Sequence, residues 1–245
     1  MTKIFPNTTN CTSEVKTTIQ RISGISEQIK SVVDANPNCY DNFKKYVRHW
    51  PEFHKSSWLE IAGYGWFINW ETPVNVEVAL SRGQDVLDLF MIQHLTHDWE
   101  IITMKLLSLY PEREHVLLEA FKLHQDGKYV ASIPLFMTQT DGICQQNLDT
   151  FLFCEGNERG KKIKQIVNES SDCLLKVFLD VLNAKTQFSS RISSSSQTEK
   201  KLAPNRHGIL HGAREHLDYG NEINSFKAFS FLAFIAYCFN SKILN

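Results

Sequence analysis

The sequence lacks the features that are typical of membrane and secreted proteins. No apolar run reaches the roughly 20 residues that a membrane-spanning helix needs. The most apolar stretch, residues 226–239, is shorter than that and contains Lys227 and Ser230. The first residues, Met1 to Pro6, include no long apolar segment, which argues against a secretory signal peptide. We therefore predict a cytoplasmic protein that makes no contact with a membrane.

The sequence also lacks a cysteine pattern for disulfides or zinc. Its six cysteines are scattered, without a C-x-x-C pair or a zinc-type His/Cys spacing. His94 and His97 are one helical turn apart, but no third ligand follows at an obvious spacing and the glutamate of H-E-x-x-H is absent. We predict neither a metal site nor a cofactor.

A strong charge of one sign is missing as well. The formal net charge is -1 and the pI is near 6.8. This balance disfavours proteins that coat nucleic acid through bulk electrostatics. It remains compatible with an enzyme that binds one or two phosphates locally.

Strand signals are scarce, whereas apolar residues recur at three- and four-residue steps over much of the chain. This spacing predicts an all-α fold, a helical bundle. Residues 40–70, broken by Pro51, Gly63 and Gly65, are interpreted as short helices and turns. The other predicted helices cover residues 15–33, 76–109, 111–125, 129–148, 161–188 and a final segment capped by Asn221 or Asn224.

The segment from Asn205 to Gly212, which we call the Arg–His motif, combines Arg206 with His207 and His211. Arginine can hold a phosphate through two parallel hydrogen bonds. Histidine exchanges protons near neutral pH because its ordinary pKa is about 6.5. Together these residue types indicate phosphodiester chemistry that does not need a metal.

The local pattern predicts a short helix with Asn205 as its N-cap and Gly212 just beyond its end. Arg206 would lie in the first turn, where free backbone N–H groups favour an anion. His207 and His211 are four residues apart and share a face. Arg206 and His211 are separated by roughly 140° on an ideal helix, so convergence is easier if two chains pair.

Gly208 is a poor helix former, which costs roughly 1 kcal/mol relative to alanine. Its presence indicates close approach by another helix or by a substrate. The segment from Arg48 to His54 has a similar order of residues, but Pro51 interrupts it. The residues alone leave open whether the Arg–His motif is catalytic or a chance arrangement.

Arg206 to His211 resembles the signature of the HEPN superfamily (higher eukaryotes and prokaryotes nucleotide-binding domains). That signature is an arginine followed by a polar residue and later by a histidine, with four to six residues in all between the arginine and the histidine. The whole motif resembles a version that recurs in uncharacterised bacterial proteins. In those proteins similar flanking segments occur, which here are residues 133–135, 141–143, 218–220 and 224–228.

The resemblance covers residues 111–245 and implies a HEPN-like domain there, a four- or five-helix bundle. Residues 1–110 would form a further helical region of unknown role. The resemblance also implies a homodimer in which two motifs face one cleft. Many members are metal-independent ribonucleases of toxin, abortive-infection or anti-phage systems. Ala213 occupies the position of the tyrosine found in members paired with nucleotidyltransferase antitoxins, so control by nucleotide transfer is not expected here.

The expected function is therefore an endoribonuclease with RNA as its substrate and an antitoxin or defence protein as a possible partner. His211 would take a proton from a ribose 2′-hydroxyl while Arg206 holds the phosphate oxygens. The acid would be His211 or His207 of the partner subunit. Asn205 would cap or orient the motif. Asp141 would either orient a histidine or act as an ordinary solvated or capping carboxylate.

Two alternatives to the enzyme remain open at this point. One is a catalytically silent HEPN-like module that binds a nucleotide or a protein. The other is a plain helical interaction protein that carries the motif by chance. The presence of both Arg206 and His211 favours the enzyme, because a silent module has no need to keep the pair.

Overall fold

The computed structural model describes residues 37–69, 71–153, 158–169, 173–184, 186–190 and 202–239, with side chains from residue 49 onward. Within these ranges the chain forms helices and turns, and no strand is present. The predicted all-α class is confirmed. The helix predicted over residues 15–33 lies outside the described residues.

The described part of the chain contains ten α-helices, several of them joined by short turns. They are α1 (Pro37–Gly63), α2 (Val76–Ser81), α3 (Gln84–His97), α4 (Trp99–Leu109), α5 (Glu114–Gln125), α6 (Tyr129–Leu148), α7 (Glu158–Glu169), α8 (Cys173–Asn183), α9 (Arg206–Leu210) and α10 (Glu222–Cys238). Single 3₁₀ turns occupy Pro111–Arg113, Gln187–Ser189 and Arg214–His216.

The chain divides between Trp50 and Pro51 into two units, residues 1–50 and residues 51–245. The second unit contains the Arg–His motif and every described helix from α2 onward. No helix in the described residues is long and apolar enough to cross a membrane.

Helix α10 is the centre of the core in the second unit. Every residue from Ser225 to Cys238 is buried, as expected for a helix that is apolar on all sides. It packs most extensively on α6 and also contacts α3, α4 and α8. Aromatic rings fill the space around it: Phe231 stacks on Phe67 with ring centroids 4.0 Å apart.

The interpretation of residues 40–70 as short helices was wrong for most of that stretch. A single helix, α1, continues to Gly63 with Pro51 inside it. Proline removes one backbone hydrogen bond and normally interrupts a helix. Here the following turns bury Trp58, Ile61 and Ala62, and this burial offsets the loss.

Two predicted long helices are shorter in the structure. Residues 76–109 form α2, α3 and α4. Gly83 separates α2 from α3, because a helix does not allow its φ of +104°. A second break, at Asp98, separates α3 from α4. The helix predicted over residues 161–188 begins at Glu158, and its described parts are α7 and α8, which ends at Asn183. The predicted helices over residues 111–125 and 129–148 are confirmed by the first 3₁₀ turn, α5 and α6.

Candidate active site

The Arg–His motif forms the short helix α9, and the predicted N-cap is observed. The Asn205 side chain is 2% exposed, and its Oδ1 accepts the N–H of Gly208 at 2.7 Å. Its Nδ2 donates to the backbone carbonyls of Gln187 at 3.2 Å and Ser190 at 2.9 Å. Gly212 follows the helix with a φ of +63°. Asn205 therefore fixes the start of α9 to the preceding 3₁₀ turn.

The Arg206 guanidinium contacts Asp141 of α6 and the ring of Phe153, which follows that helix. Its Cζ is 5.0 Å from the centroid of the Phe153 ring, a cation–π geometry. Its Nη2 is 3.5 Å from Oδ2 of Asp141, and the side chain stays 22% exposed. The remaining N–H groups of the fork are available to an anion that arrives from solvent.

Asp141 contacts Arg206 directly and also binds the backbone of Phe153, whose ring lies against the guanidinium. Its Oδ1 accepts the backbone N–H of Leu152 at 2.8 Å and that of Phe153 at 3.4 Å. Its Oδ2 faces the guanidinium. These hydrogen bonds go to the backbone that follows α6 and to arginine, and the structure describes none between Asp141 and a histidine. By fixing Phe153, the carboxylate also fixes the ring beneath Arg206.

The pKa of Asp141 is raised above its ordinary value because burial penalises the charged carboxylate. The two backbone N–H groups and the Arg206 charge act in the opposite direction and limit the rise. The attraction between Asp141 and Arg206 is strongest when Asp141 is ionised, and it weakens when the carboxylate takes up a proton.

His207 and His211 share a face, as their spacing predicts. Their rings are nearly parallel, with an interplanar angle of 8° and centroids 6.2 Å apart. His211 is exposed and His207 is partly exposed. Imidazole is a side chain that can act as a general acid or as a general base. Among the described side chains, no hydrogen bond joins Arg206 to His211.

The backbone of α9 contributes less to anion binding than the sequence suggested. The helix contains five residues, and the Asn205 side chain already accepts one of its first free N–H groups. A helix of little more than one turn has a small dipole. Of the groups in the motif, the Arg206 side chain is therefore better suited to an anion than the end of α9 is.

His216 is a residue of this site that sequence reasoning missed. It is 5% exposed, and its ring lies directly on the backbone of Gly208. A Cβ placed on Gly208 would lie 2.1 Å from Cδ2 of His216. The close approach expected at Gly208 is thus made by a side chain from the next turn, rather than by a helix or a substrate. The glycine within the motif was the signal, but it did not identify the partner.

No group of three or more His, Cys, Asp or Glu side chains is arranged to hold a metal ion in the described ranges. His94 instead contacts Asp98, with Nδ1 2.9 Å from Oδ2.

Comparisons of the chain with protein-family models, with curated proteins and with solved structures found no match in any of the three.

Proposed function

We propose that this chain is a metal-independent endoribonuclease of the HEPN type, with Arg206 and His211 as its catalytic pair. The observation that carries the proposal is the position of the Arg206 guanidinium. It contacts the Asp141 carboxylate and the Phe153 ring, and the side chain stays 22% exposed to solvent. An arginine fixed in this way is prepared to bind a phosphate without a large loss of side-chain entropy.

In the proposed reaction, His211 removes the proton from a ribose 2′-hydroxyl. The 2′-oxygen attacks the adjacent phosphorus in line, and the bond to the leaving 5′-oxygen breaks. Arg206 stabilises the negative charge that develops on the nonbridging oxygens. An imidazolium, from His211 or His207 of the partner subunit, protonates the leaving oxygen. The products are a 2′,3′-cyclic phosphate and a 5′-hydroxyl.

We further propose that two chains complete one site. Arg206 begins α9 and His211 follows its end, so their side chains leave the helix in different directions. A second motif across a shared cleft would supply the acid and the base from separate subunits. The proposal includes a toxin or anti-phage role with an antitoxin or defence protein as partner, which rests on the resemblance of the motif. It also includes the cytoplasmic location expected from the sequence.

The experiment that tests the function is cleavage of RNA by the purified chain. We expect wild type to cut RNA in the presence of EDTA, and Arg206→Ala and His211→Ala each to lose at least about 100-fold in rate. His115→Ala, an exposed histidine on α5, is the matched control and should keep full activity. Undiminished cleavage in both motif variants would refute the proposed mechanism.

Expression in a bacterial host separates the enzyme from its alternative. A toxic ribonuclease arrests growth, and His211→Ala should remove the arrest while the protein level is unchanged. If wild type is tolerated and purified protein leaves RNA intact but binds a nucleotide or a protein, the silent HEPN-like module is favoured instead.

A further inference from the structure

A cavity of about 350 Å³ lies beside the start of α9. Its wall includes Asn205 and His216, the two residues whose side chains contact Gly208. Arg206 and His211 do not line it, so the cavity is separate from the candidate catalytic groups. Specific small-molecule sites range upward from roughly 300 Å³, which limits the occupant to a small molecule.

A buried ion pair forms one wall of this cavity. Lys227, on α10, is 1% exposed, and its Nζ is 3.3 Å from Oδ1 of Asp88. The ammonium also donates to the backbone carbonyl of Leu202 at 2.6 Å, while Trp66 Nε1 donates to the same Asp88 oxygen at 2.6 Å. Each of these charges is thus balanced by the other, and the pair leaves no excess charge for a ligand.

The excess charge of the cavity is negative and comes from Glu215 and Asp218. Both carboxylates line the cavity and are exposed at its edge. Neither forms an ion pair with any residue that the structure describes. A phosphate or another anion would be repelled here, whereas a cation would be attracted.

Apolar side chains accompany the two carboxylates. Pro204 and Ile223 also line the cavity. A ligand that suits this combination carries separated positive groups joined by methylene carbons. Ammonium groups can donate to Glu215 and Asp218, and the methylene segment can cover Ile223.

We propose that this cavity binds a small aliphatic polyamine. Lys227 and Asp88 form the polar wall, and Glu215 and Asp218 hold the ammonium groups. His216 and Asn205 place the ligand next to the backbone of α9. A metal ion would need a more compact set of ligands, and a nucleotide would bring a phosphate towards two free carboxylates.

Binding is measured by isothermal titration calorimetry with putrescine and with spermidine on the full chain. We expect saturable binding of at least one of the two amines. The double variant Glu215→Gln/Asp218→Asn should weaken it at least about tenfold, which corresponds to about 1.4 kcal/mol. The control Glu100→Gln/Glu119→Gln removes the same charge from exposed positions on α4 and α5 and should leave the affinity unchanged.

Three results would overturn the proposal: no binding of either amine at millimolar concentration, equal weakening in the two double variants, or saturable binding of ribose 5-phosphate at the same site. Equal weakening would mean that the amines respond only to net charge. The single variant Asp218→Asn and circular dichroism spectra guard against a folding defect. No RNA cleavage is measured, so this outcome is independent of the ribonuclease proposal.

Discussion

At the scale of single residues, the backbone of α9 is held by two side chains, Asn205 from one end and His216 from one side. Both meet at Gly208: the asparagine accepts its N–H, and the imidazole covers its Cα. Glycine is required at this position because the ring occupies the space of a Cβ. The strength of this contact can be measured directly.

Gly208→Ala should destabilise the protein by about 1–3 kcal/mol, because the new methyl group collides with a buried ring. The better helix propensity of alanine offsets at most about 1 kcal/mol of this loss. Urea unfolding of the two proteins gives the difference.

A double-mutant cycle supplies the control for this contact. Adding His216→Ala to Gly208→Ala should recover part of the lost stability, since the truncated side chain leaves room for the methyl group. Additive losses in the double variant would show that the ring does not press on residue 208.

Asp141 allows the positioning of Arg206 to be separated from the stability of the fold. Asp141→Asn keeps an oxygen that can accept the Leu152 N–H, so unfolding free energy at pH 7 should stay within about 1 kcal/mol of wild type. It loses the charge that faces Arg206. We expect kcat for RNA cleavage to fall between about 10- and 100-fold, as a misplaced catalytic group does.

Asp141→Ala is the comparison for that variant. It leaves the buried N–H of Leu152 without an acceptor and should cost about 1–3 kcal/mol in addition to the loss of activity. An Asp141→Asn protein with the wild-type kcat would mean that the carboxylate does not position Arg206.

At the scale of helices, α5, α6 and α10 are joined through a buried polar contact. His124 of α5 is 2.8 Å from the hydroxyl of Ser225 on α10, which is 2.8 Å from that of Ser132 on α6. The His124 ring also stacks on Trp99 at 4.7 Å. Burial lowers the pKa of His124 to about 4.

This pKa predicts that stability decreases as the pH falls. Between an unfolded pKa of about 6.5 and the folded value of about 4, only the unfolded chain binds the proton, so acid favours unfolding. Stability should be fully present above pH 6.5 and should fall by about 2 kcal/mol from pH 7 to pH 5 on this account alone.

The measurement is urea unfolding of wild type and His124→Gln at pH 7 and at pH 5. Every other pH-dependent contribution to stability is common to the two proteins, so the informative quantity is the difference between their pH dependences. The variant should show a decrease that is smaller by about 2 kcal/mol. Parallel pH dependences would contradict a neutral, buried His124.

The sequence predicted helices well where one amphipathic stripe extends without interruption. Helix α6 was predicted from its first residue to its last because Ile133, Phe136, Thr140 and Ile143 keep a helical spacing and are all buried. The break at Gly83 was missed, since apolar spacing continues across it. The continuity of α1 through Pro51 was missed because burial, which local sequence does not reveal, compensates the proline.

The same distinction applies to the candidate site. The cap at Asn205, the helix end at Gly212 and the shared face of His207 and His211 depend on residues within one short segment, so the sequence predicted them. Contacts across long separations were not predictable: Arg206 meets Asp141 across 65 positions. Lys227 was noticed as a charge inside an apolar run, but its partner Asp88 lies on another helix.

At the scale of the whole molecule, a helical core around α10 carries the Arg–His motif at the surface. Helix α9 contacts α6 and two 3₁₀ turns, and the side chains of Arg206 and His211 remain accessible. Under the proposed function, the partial exposure of Arg206 and the exposure of His211 suit a large substrate such as RNA. Polyamine binding beside α9 would act on the same helix from another side.

The chemistry of the RNA ends is the most direct test of the central claim, which is that Arg206 and His211 promote attack by a ribose 2′-hydroxyl. Total cellular RNA is incubated with purified wild type or His211→Ala in EDTA, and the new termini are identified by mass spectrometry and by sequencing of ligated ends. We predict 2′,3′-cyclic phosphates and 5′-hydroxyls with wild type and neither with the variant. New ends that carry 3′-hydroxyls and 5′-phosphates, or identical ends from the two proteins, would contradict the account.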